Sequence, residues 1–167
     1  MVDRWEMKLY IMRHGAAEDY AASRRDGDRA LTPSGRERVR DVARALLQAD
    51  EAPLLIFSSP LVRALQTAEI VAATVKIEGA VEIRREIAPG GTPMAFIQEL
   101  SAKKSKRVML VGHEPDLSDL VARLAGAPPS QGMLKSMVVG VSVAEGGESK
   151  LRFIFDPKTL AFDPPHP

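Results

Sequence analysis

Short apolar runs alternate along this chain with longer stretches of helical periodicity, and that alternation restricts the fold more than any other feature. Residues 8 to 12, Lys-Leu-Tyr-Ile-Met, read as a short buried strand that stops at Arg13-His14-Gly15, where glycine permits a sharp exit. A polar loop follows to Ala30. Thr32-Pro33 then marks a helix start, with Thr32 as N-cap and Pro33 at the first helical position. Val39, Val42, Ala43, Leu46 and Leu47 recur three and four apart, which predicts one apolar face. The pattern repeats. Leu54 to Phe57 reads as a strand ending in Ser58-Ser59-Pro60, followed by a helix carrying Leu61, Leu65, Ala68 and Ala72 with Arg63 in its first turn. A weaker strand, Val81 to Arg84, runs into Glu86 and Pro89-Gly90-Gly91, after which Thr92-Pro93 caps a helix bearing Phe96, Ile97 and Leu100. Val108 to Val111 is a fourth strand ending in Gly112-His113-Glu114-Pro115, and Asp116 is placed to cap a helix with Leu117, Leu120, Val121 and Leu124 on one side.

Beyond Gly126 the rhythm changes. Met137 to Val143 and Leu151 to Phe155 are strand runs joined through Glu145-Gly146-Gly147-Glu148, a hairpin signature, and the last dozen residues are proline-rich and read as irregular. Strands alternating with helices predict an α/β fold, a mostly parallel sheet covered on both faces, and the hairpin adds at least one antiparallel strand. At 167 residues the chain fits one domain, 1–167, with a core from about 8 to 155.

A formal net charge of +1 gives no general attraction to nucleic acid or an anionic membrane, so any cationic site must be a local focus. The apolar runs are too short to span a bilayer. Absence of cysteine excludes a disulfide scaffold, a thiol nucleophile and a thiolate metal site. Met1 to Met7 lacks the basic and apolar segments of a secretory signal, so a cytoplasmic protein is expected.

Ligands of open parallel sheets bind outside the carboxyl ends of the strands. His14 follows the first strand, Arg63 the second, Glu86 the third and His113 the fourth, so separated segments deliver ionisable side chains to one edge. Arginines, histidines and one carboxylate suit a phosphate dianion, because guanidinium offers paired planar donors and imidazole serves as nucleophile or donor. Each residue alone has an ordinary explanation: Arg13 as a strand-end surface cation, either histidine as a loop residue bonded to backbone, Arg63 as a solvated charge, Glu86 as a surface carboxylate. Only the set outweighs these. His166, near the C-terminus, is set aside as non-catalytic. With His14, His113 and His166 the only histidines, no metal is expected, and no glycine-rich run ends in Gly-Lys-Ser or Gly-Lys-Thr as a P-loop would.

The motifs are also familiar as a group. Leu9-Tyr10-Ile11-Met12-Arg13-His14-Gly15, Leu31-Thr32-Pro33-Ser34-Gly35, Ser59-Pro60-Leu61-Val62-Arg63-Ala64-Leu65-Gln66-Thr67-Ala68 and Val111-Gly112-His113-Glu114-Pro115 resemble, in order and spacing, the signatures of the histidine phosphatase superfamily, the last in the form of its short SixA-like branch. The resemblance implies a three-layer α/β/α phosphoglycerate-mutase-like fold with a sheet of six strands. It also implies a nucleophilic His14, a phosphate pocket of Arg13, Gly15, Arg63 and His113, and catalysis without cofactor or metal. Glu86 falls where many relatives place a proton-donating glutamate, although Ala88-Pro89-Gly90-Gly91 departs from the phosphatase form that follows it. The short connection from Arg63 to His113 leaves no room for the helical insertion of the sugar-phosphate mutases, which argues for an open site. The expected substrate is a phosphorylated protein such as a histidine phosphotransfer domain. A small phosphate ester, or a non-catalytic phosphoprotein-binding role, is the alternative.

Overall fold

The computed structural model describes residues 4–20 and 25–166. Seven strands, β1 (Glu6–Arg13), β2 (Leu55–Ser58), β3 (Glu82–Ile83), β4 (Arg107–Gly112), β5 (Val138–Ala144), β6 (Ser149–Asp156) and β7 (Ala161–Asp163), form one sheet in the order β3-β2-β4-β1-β5-β6-β7. The helices are α1 (Pro33–Gln48), α2 (Val62–Val75), α3 (Pro93–Ala102) and α4 (Asp116–Ala125). β3, β2, β4 and β1 pair in parallel, whereas β5, β6 and β7 add on antiparallel, each to its neighbour.

Among the described residues the expected six strands are seven, and β5, β6 and β7 make up the antiparallel part expected from the hairpin. The extra strand, β7, lies in the proline-rich tail whose sequence predicts irregular chain. Asp156 accepts hydrogen bonds from the backbone of Lys158 and Thr159, turning the chain back, and Phe162 packs edge-on against Phe153 and Phe155. One aromatic residue among prolines is too weak a periodic signal to read from sequence, and the partners that make it a strand belong to β6.

Strand pleating explains the layers. On β1, Met7, Leu9 and Ile11 face a core built with Phe96, Ile97 and Leu100 of α3 and Leu117, Leu120, Val121 and Leu124 of α4. Tyr10 and Met12 face the opposite side, against Val39, Val42, Ala43 and Leu46 of α1 and Ala64, Ala68 and Val71 of α2. Leu47 is 44% exposed, so the predicted α1 face is narrower by one residue. On α2 the buried stripe is Arg63, Ala64, Thr67, Ala68 and Val71, whereas Leu61, Leu65 and Ala72 are only partly covered. The shift brings polar Arg63 and Thr67 inward.

Thr32 caps α1 as expected, its hydroxyl accepting from Gly35 N at 3.0 Å. Thr92 opens α3 but makes no side-chain capping bond. Asp116 is the first residue of α4, and its carboxylate instead accepts from Gly90 N at 2.7 Å; Glu114 takes the N–H of Ser118 inside the helix, at 2.8 Å.

Candidate active site

The reversal of strand order places β1 beside β4, so the residues that leave their carboxyl ends emerge side by side. Arg13 pairs in register with Gly112, and His14 N donates to Gly112 O at 3.2 Å. The His14 and His113 rings consequently stand 5.2 Å apart between centroids, tilted by 50°. Both are buried, His14 to 6% exposure.

The tight turn after His14 depends on two glycines. A Cβ on Gly15 would come within 2.9 Å of Val39 Cγ2, and one on Gly35 within 2.2 Å of Ala16 O, so α1 lies directly on the loop that carries the nucleophile candidate. Thr32 N completes the junction by donating to Ala16 O at 3.0 Å. On the other side Thr67 Oγ1 accepts from Gly15 N at 3.0 Å and donates to Arg63 O at 2.8 Å, which couples the loop to the first turns of α2.

His14 Nδ1 lies 2.7 Å from Gly15 O, and a carbonyl only accepts, so Nδ1 carries the proton. Nε2 keeps its lone pair and accepts from Arg63 Nε at 3.3 Å. Both hydrogen bonds specify the same neutral tautomer. The His14 pKa is lowered to about 3, chiefly by burial, with His113, Arg63 and Arg13 adding to the effect against the opposing Gly15 carbonyl. Desolvation is thus a larger cause of the neutral form than the arginine neighbours.

Arg63 holds its position through Asp26, donating from Nη1 to the backbone oxygen at 2.9 Å and from Nη2 to the carboxylate at 3.2 Å. Arg29 and Arg63 together hold the Asp26 carboxyl below its ordinary value despite a small desolvation penalty. Arg13 donates through Nη1 to Met133 O at 2.9 Å, while its buried Nε finds no partner among the described residues. His113 Nε2 lies 2.6 Å from Ser59 Oγ, and its buried Nδ1 likewise has no partner among the described residues. Burial, reinforced by Arg63, lowers the His113 pKa to about 4. The result is a desolvated pocket edge with two guanidinium groups and unpartnered polar atoms.

Glu86 is differently engaged. It lies in a short 3₁₀ turn after β3, and both its oxygens accept from Arg84, at 2.8 and 3.2 Å. That ion pair holds its carboxyl at about 2. His166 lies with Glu51 and Phe162, among residues remote in sequence from the pocket. Among the described residues no three histidine, aspartate or glutamate side chains gather as metal ligands. Likewise, no helix among them is long and apolar enough to cross a membrane.

Asp26, Ser59, Thr67 and Ser136 adjoin the pocket as well, beyond the residues that the sequence motifs point to. Asp26 falls in a polar loop with other acids, and nothing local distinguishes it. Thr67 carries a readable signal, since it stands four residues after Arg63 and so on the same face of α2.

Comparison with known proteins places this arrangement. Residues 9–89 match the histidine phosphatase superfamily (branch 1). The phosphohistidine phosphatase SixA of Escherichia coli strain K12 is 29% identical over 157 residues, covering 92% of this chain and 96% of that protein. A SixA homolog of Haemophilus influenzae is 34% identical over 130 residues, 72% of this chain and 78% of that one. A protein histidine phosphatase SixA solved with tungstate superposes with a TM-score of 0.84 at 30% identity, over 92% of this chain and 99% of that one. The architecture is that of the phosphoglycerate mutases. With its Arg13-His14-Gly15 turn, its second arginine on α2 and its second histidine after β4, the chain belongs to the histidine phosphatase superfamily, in the SixA-like branch.

Proposed function

We propose that this protein is a phosphohistidine phosphatase that removes the phosphoryl group from a partner protein through a covalent intermediate on His14. The observation that carries the reading is the locked tautomer: Nδ1–H held by Gly15 O leaves an unprotonated Nε2 facing Arg63 within a buried cationic pocket. A nitrogen so prepared attacks phosphorus in line as the bond to the leaving group breaks. Arg13, Arg63 and His113 then take the charge of the nonbridging oxygens. Gly15 belongs to the same phosphate-binding turn. Water next attacks the phosphohistidine, releasing inorganic phosphate and returning His14 with its proton still on Nδ1. The two guanidinium groups supply the charge stabilisation that a metal provides in other phosphoryl-transfer sites, with His113 as a neutral hydrogen-bonding partner, so no metal or cofactor enters the scheme.

The substrate class follows from the leaving group. An imidazole protonated at its far nitrogen departs as a neutral ring, whereas an alkoxide needs a proton from an acid. Glu86, paired with Arg84 and held at about 2, is ionised at neutral pH and a poor donor there. Ester hydrolysis is thereby handicapped more than phosphohistidine hydrolysis. The relatives named phosphohistidine phosphatases support the same reading. A non-catalytic phosphoprotein-binding role would have no use for an unprotonated Nε2 held in this tautomer.

The test is the specificity constant of wild type and Glu86→Gln on a phosphohistidine protein and on an aryl or alkyl phosphate. Wild type is expected to favour the phosphohistidine protein, with Glu86→Gln affecting that reaction little. If an alkyl or sugar phosphate is turned over far faster and Glu86→Gln cripples that reaction, a small-molecule phosphomonoesterase replaces this assignment.

A further inference from the structure

Beside the phosphate pocket, and sharing Arg13 with it, lies a groove of about 460 Å³ whose lining includes Arg38, Leu134, Lys135, Ser136, Pro157 and Lys158. Its cations come from four separate places: the end of β1, the exposed side of α1, the segment entering β5 and the turn between β6 and β7. Among the described residues, no carboxylate lines it. Among the described residues, none of Arg13, Arg38, Lys135 and Lys158 forms a salt bridge. In a chain of net charge +1 this is a local concentration of positive charge, and concave placement focuses its field.

Two details distinguish the groove from an ordinary solvated face. Arg38 Nη1 donates to Pro157 O at 2.8 Å, which ties α1 to the β6–β7 turn and holds the guanidinium in place. Ser136 is 1% exposed, and its hydroxyl has no partner among the described residues, although buried hydroxyls are nearly always bonded. Its backbone is also strained, at φ 68°, while its N–H is shared between Arg13 O and His14 O at 3.2 and 3.1 Å. The residue that lines the groove is thus bonded to the backbone that carries the nucleophile.

We propose that this groove docks acidic side chains flanking the phosphorylated residue of a partner protein. The proposal rests on the phosphohistidine-protein reading and specifies the partner's surface. Charge complementarity favours a protein face over a second phosphate on a small molecule. Arg38, Lys135 and Lys158 are exposed and spread over separate elements, suited to several carboxylates at once, and Leu134 and Pro157 supply apolar contact between them. A single compact dianion is held better by converging, buried donors.

The experiment measures kcat/KM for wild type, Arg38→Ala and the double variant Lys135→Glu/Lys158→Glu. Substrates are a phosphohistidine peptide flanked by glutamates, its alanine-flanked counterpart and an aryl phosphate. Charge reversal is expected to lower kcat/KM on the glutamate-flanked peptide by about tenfold or more, through KM, because like charges then face each other. The other two substrates should change by less than about twofold, and the wild-type preference for the acidic peptide should shrink as salt is raised. Arg38→Ala should lose less, with its melting temperature recorded to separate docking from the tie to the turn. Equal losses on all three substrates, or none on the acidic peptide, overturn the proposal. Fluorescence anisotropy with the unphosphorylated glutamate-flanked peptide gives an arm independent of chemistry. If phosphohistidine is not hydrolysed but that peptide still binds more weakly to the charge-reversed variant, the catalytic reading fails and the groove stands. If a sugar bisphosphate responds to the reversal and the peptide does not, the groove serves a small molecule and the proposal fails.

Discussion

At the carboxyl ends of β1 and β4, Arg13, Arg63, His14 and His113 share a buried pocket, whereas just ahead of β2 a single buried carboxylate, Glu51, gathers donors around itself. Glu51 is 2% exposed and accepts from Tyr10 OH at 2.7 Å, from both Arg152 terminal nitrogens, and from His166 Nε2 at 3.1 Å. Burial alone would raise its pKa, but Arg152, Tyr10 and His166 outweigh that and hold it at about 2. The same environment, with burial as the largest cause, pushes the Tyr10 hydroxyl up to about 12. Here every charge meets its opposite inside the protein. In the pocket the balance differs: Asp26 answers Arg63, but Arg13 Nε and His113 Nδ1 are buried without partners among the described residues. A satisfied buried cluster serves the fold, whereas unpartnered polar atoms beside two guanidinium groups support the phosphate-binding role proposed for the pocket.

This contrast predicts opposite consequences for mutation. His14→Ala should reduce turnover by about 10³-fold or more and abolish phosphoenzyme, since the proposed scheme gives the nucleophilic nitrogen to His14 and a binding role to His113. The check is acid-labile, base-stable label on the protein after brief exposure to a phosphodonor, and label retained in the variant would remove His14 from its assigned role. Arg63→Ala should cost about 10²-fold in kcat by removing charge stabilisation in the transition state. An effect confined to stability would put Arg63 in the same category as Arg152.

Stability should respond in the reverse order. Glu51→Ala leaves Arg152 and Tyr10 without their buried partner and should destabilise by about 3 kcal/mol. Arg13→Met, which removes a half-buried cation whose side chain donates to a carbonyl, should stay within about 1 kcal/mol of wild type. Urea melts of both variants decide the matter, and a larger loss for Arg13→Met would erase the distinction between the clusters.

The clusters also separate along pH. His14 and His113 have folded values of about 3 and 4, below the ordinary histidine value of 6.5, so between those limits the unfolded chain binds more protons. Their contribution is complete above about 6.5 and is lost as pH falls toward 3. Glu51, lowered from 4.5 to about 2, has the same sign in a lower window, with its contribution lost as pH falls from about 4.5 through 2. Stability profiles should therefore flatten between pH 6.5 and 4.5 in a His14→Asn/His113→Asn variant. Glu51→Gln should alter the profile only below that range. The smallest expected effect is that of EDTA, which should leave turnover unchanged; loss restored by a divalent metal would contradict the cationic-pocket scheme.

How far these features could be read beforehand depends on their range along the chain. The strand–helix alternation, the Thr32 cap, the hairpin around Gly146-Gly147 and the delivery of His14, Arg63 and His113 to one sheet edge all rest on local periodicity and turn chemistry, which neighbouring residues encode. The proton position on His14 does not. It needs Gly15 O and Arg63 Nε on opposite ring nitrogens, and the second comes from 49 residues away. Asp26 behind Arg63, Ser136 beneath Arg13 and His14, and Phe162 closing the sheet are similarly contacts between distant segments.

By itself, then, the sequence determined the layered α/β class, the order of elements and the identity of the groups brought to the sheet edge, because hydrophobic spacing and capping act over a few residues. Which of those groups are desolvated, which nitrogen of His14 carries the proton, and that Glu86 pairs with Arg84 depend on the packed molecule. Burial and hydrogen-bond partnership are properties of packed surfaces, and a surface exists only once strands and helices from remote parts of the chain have met.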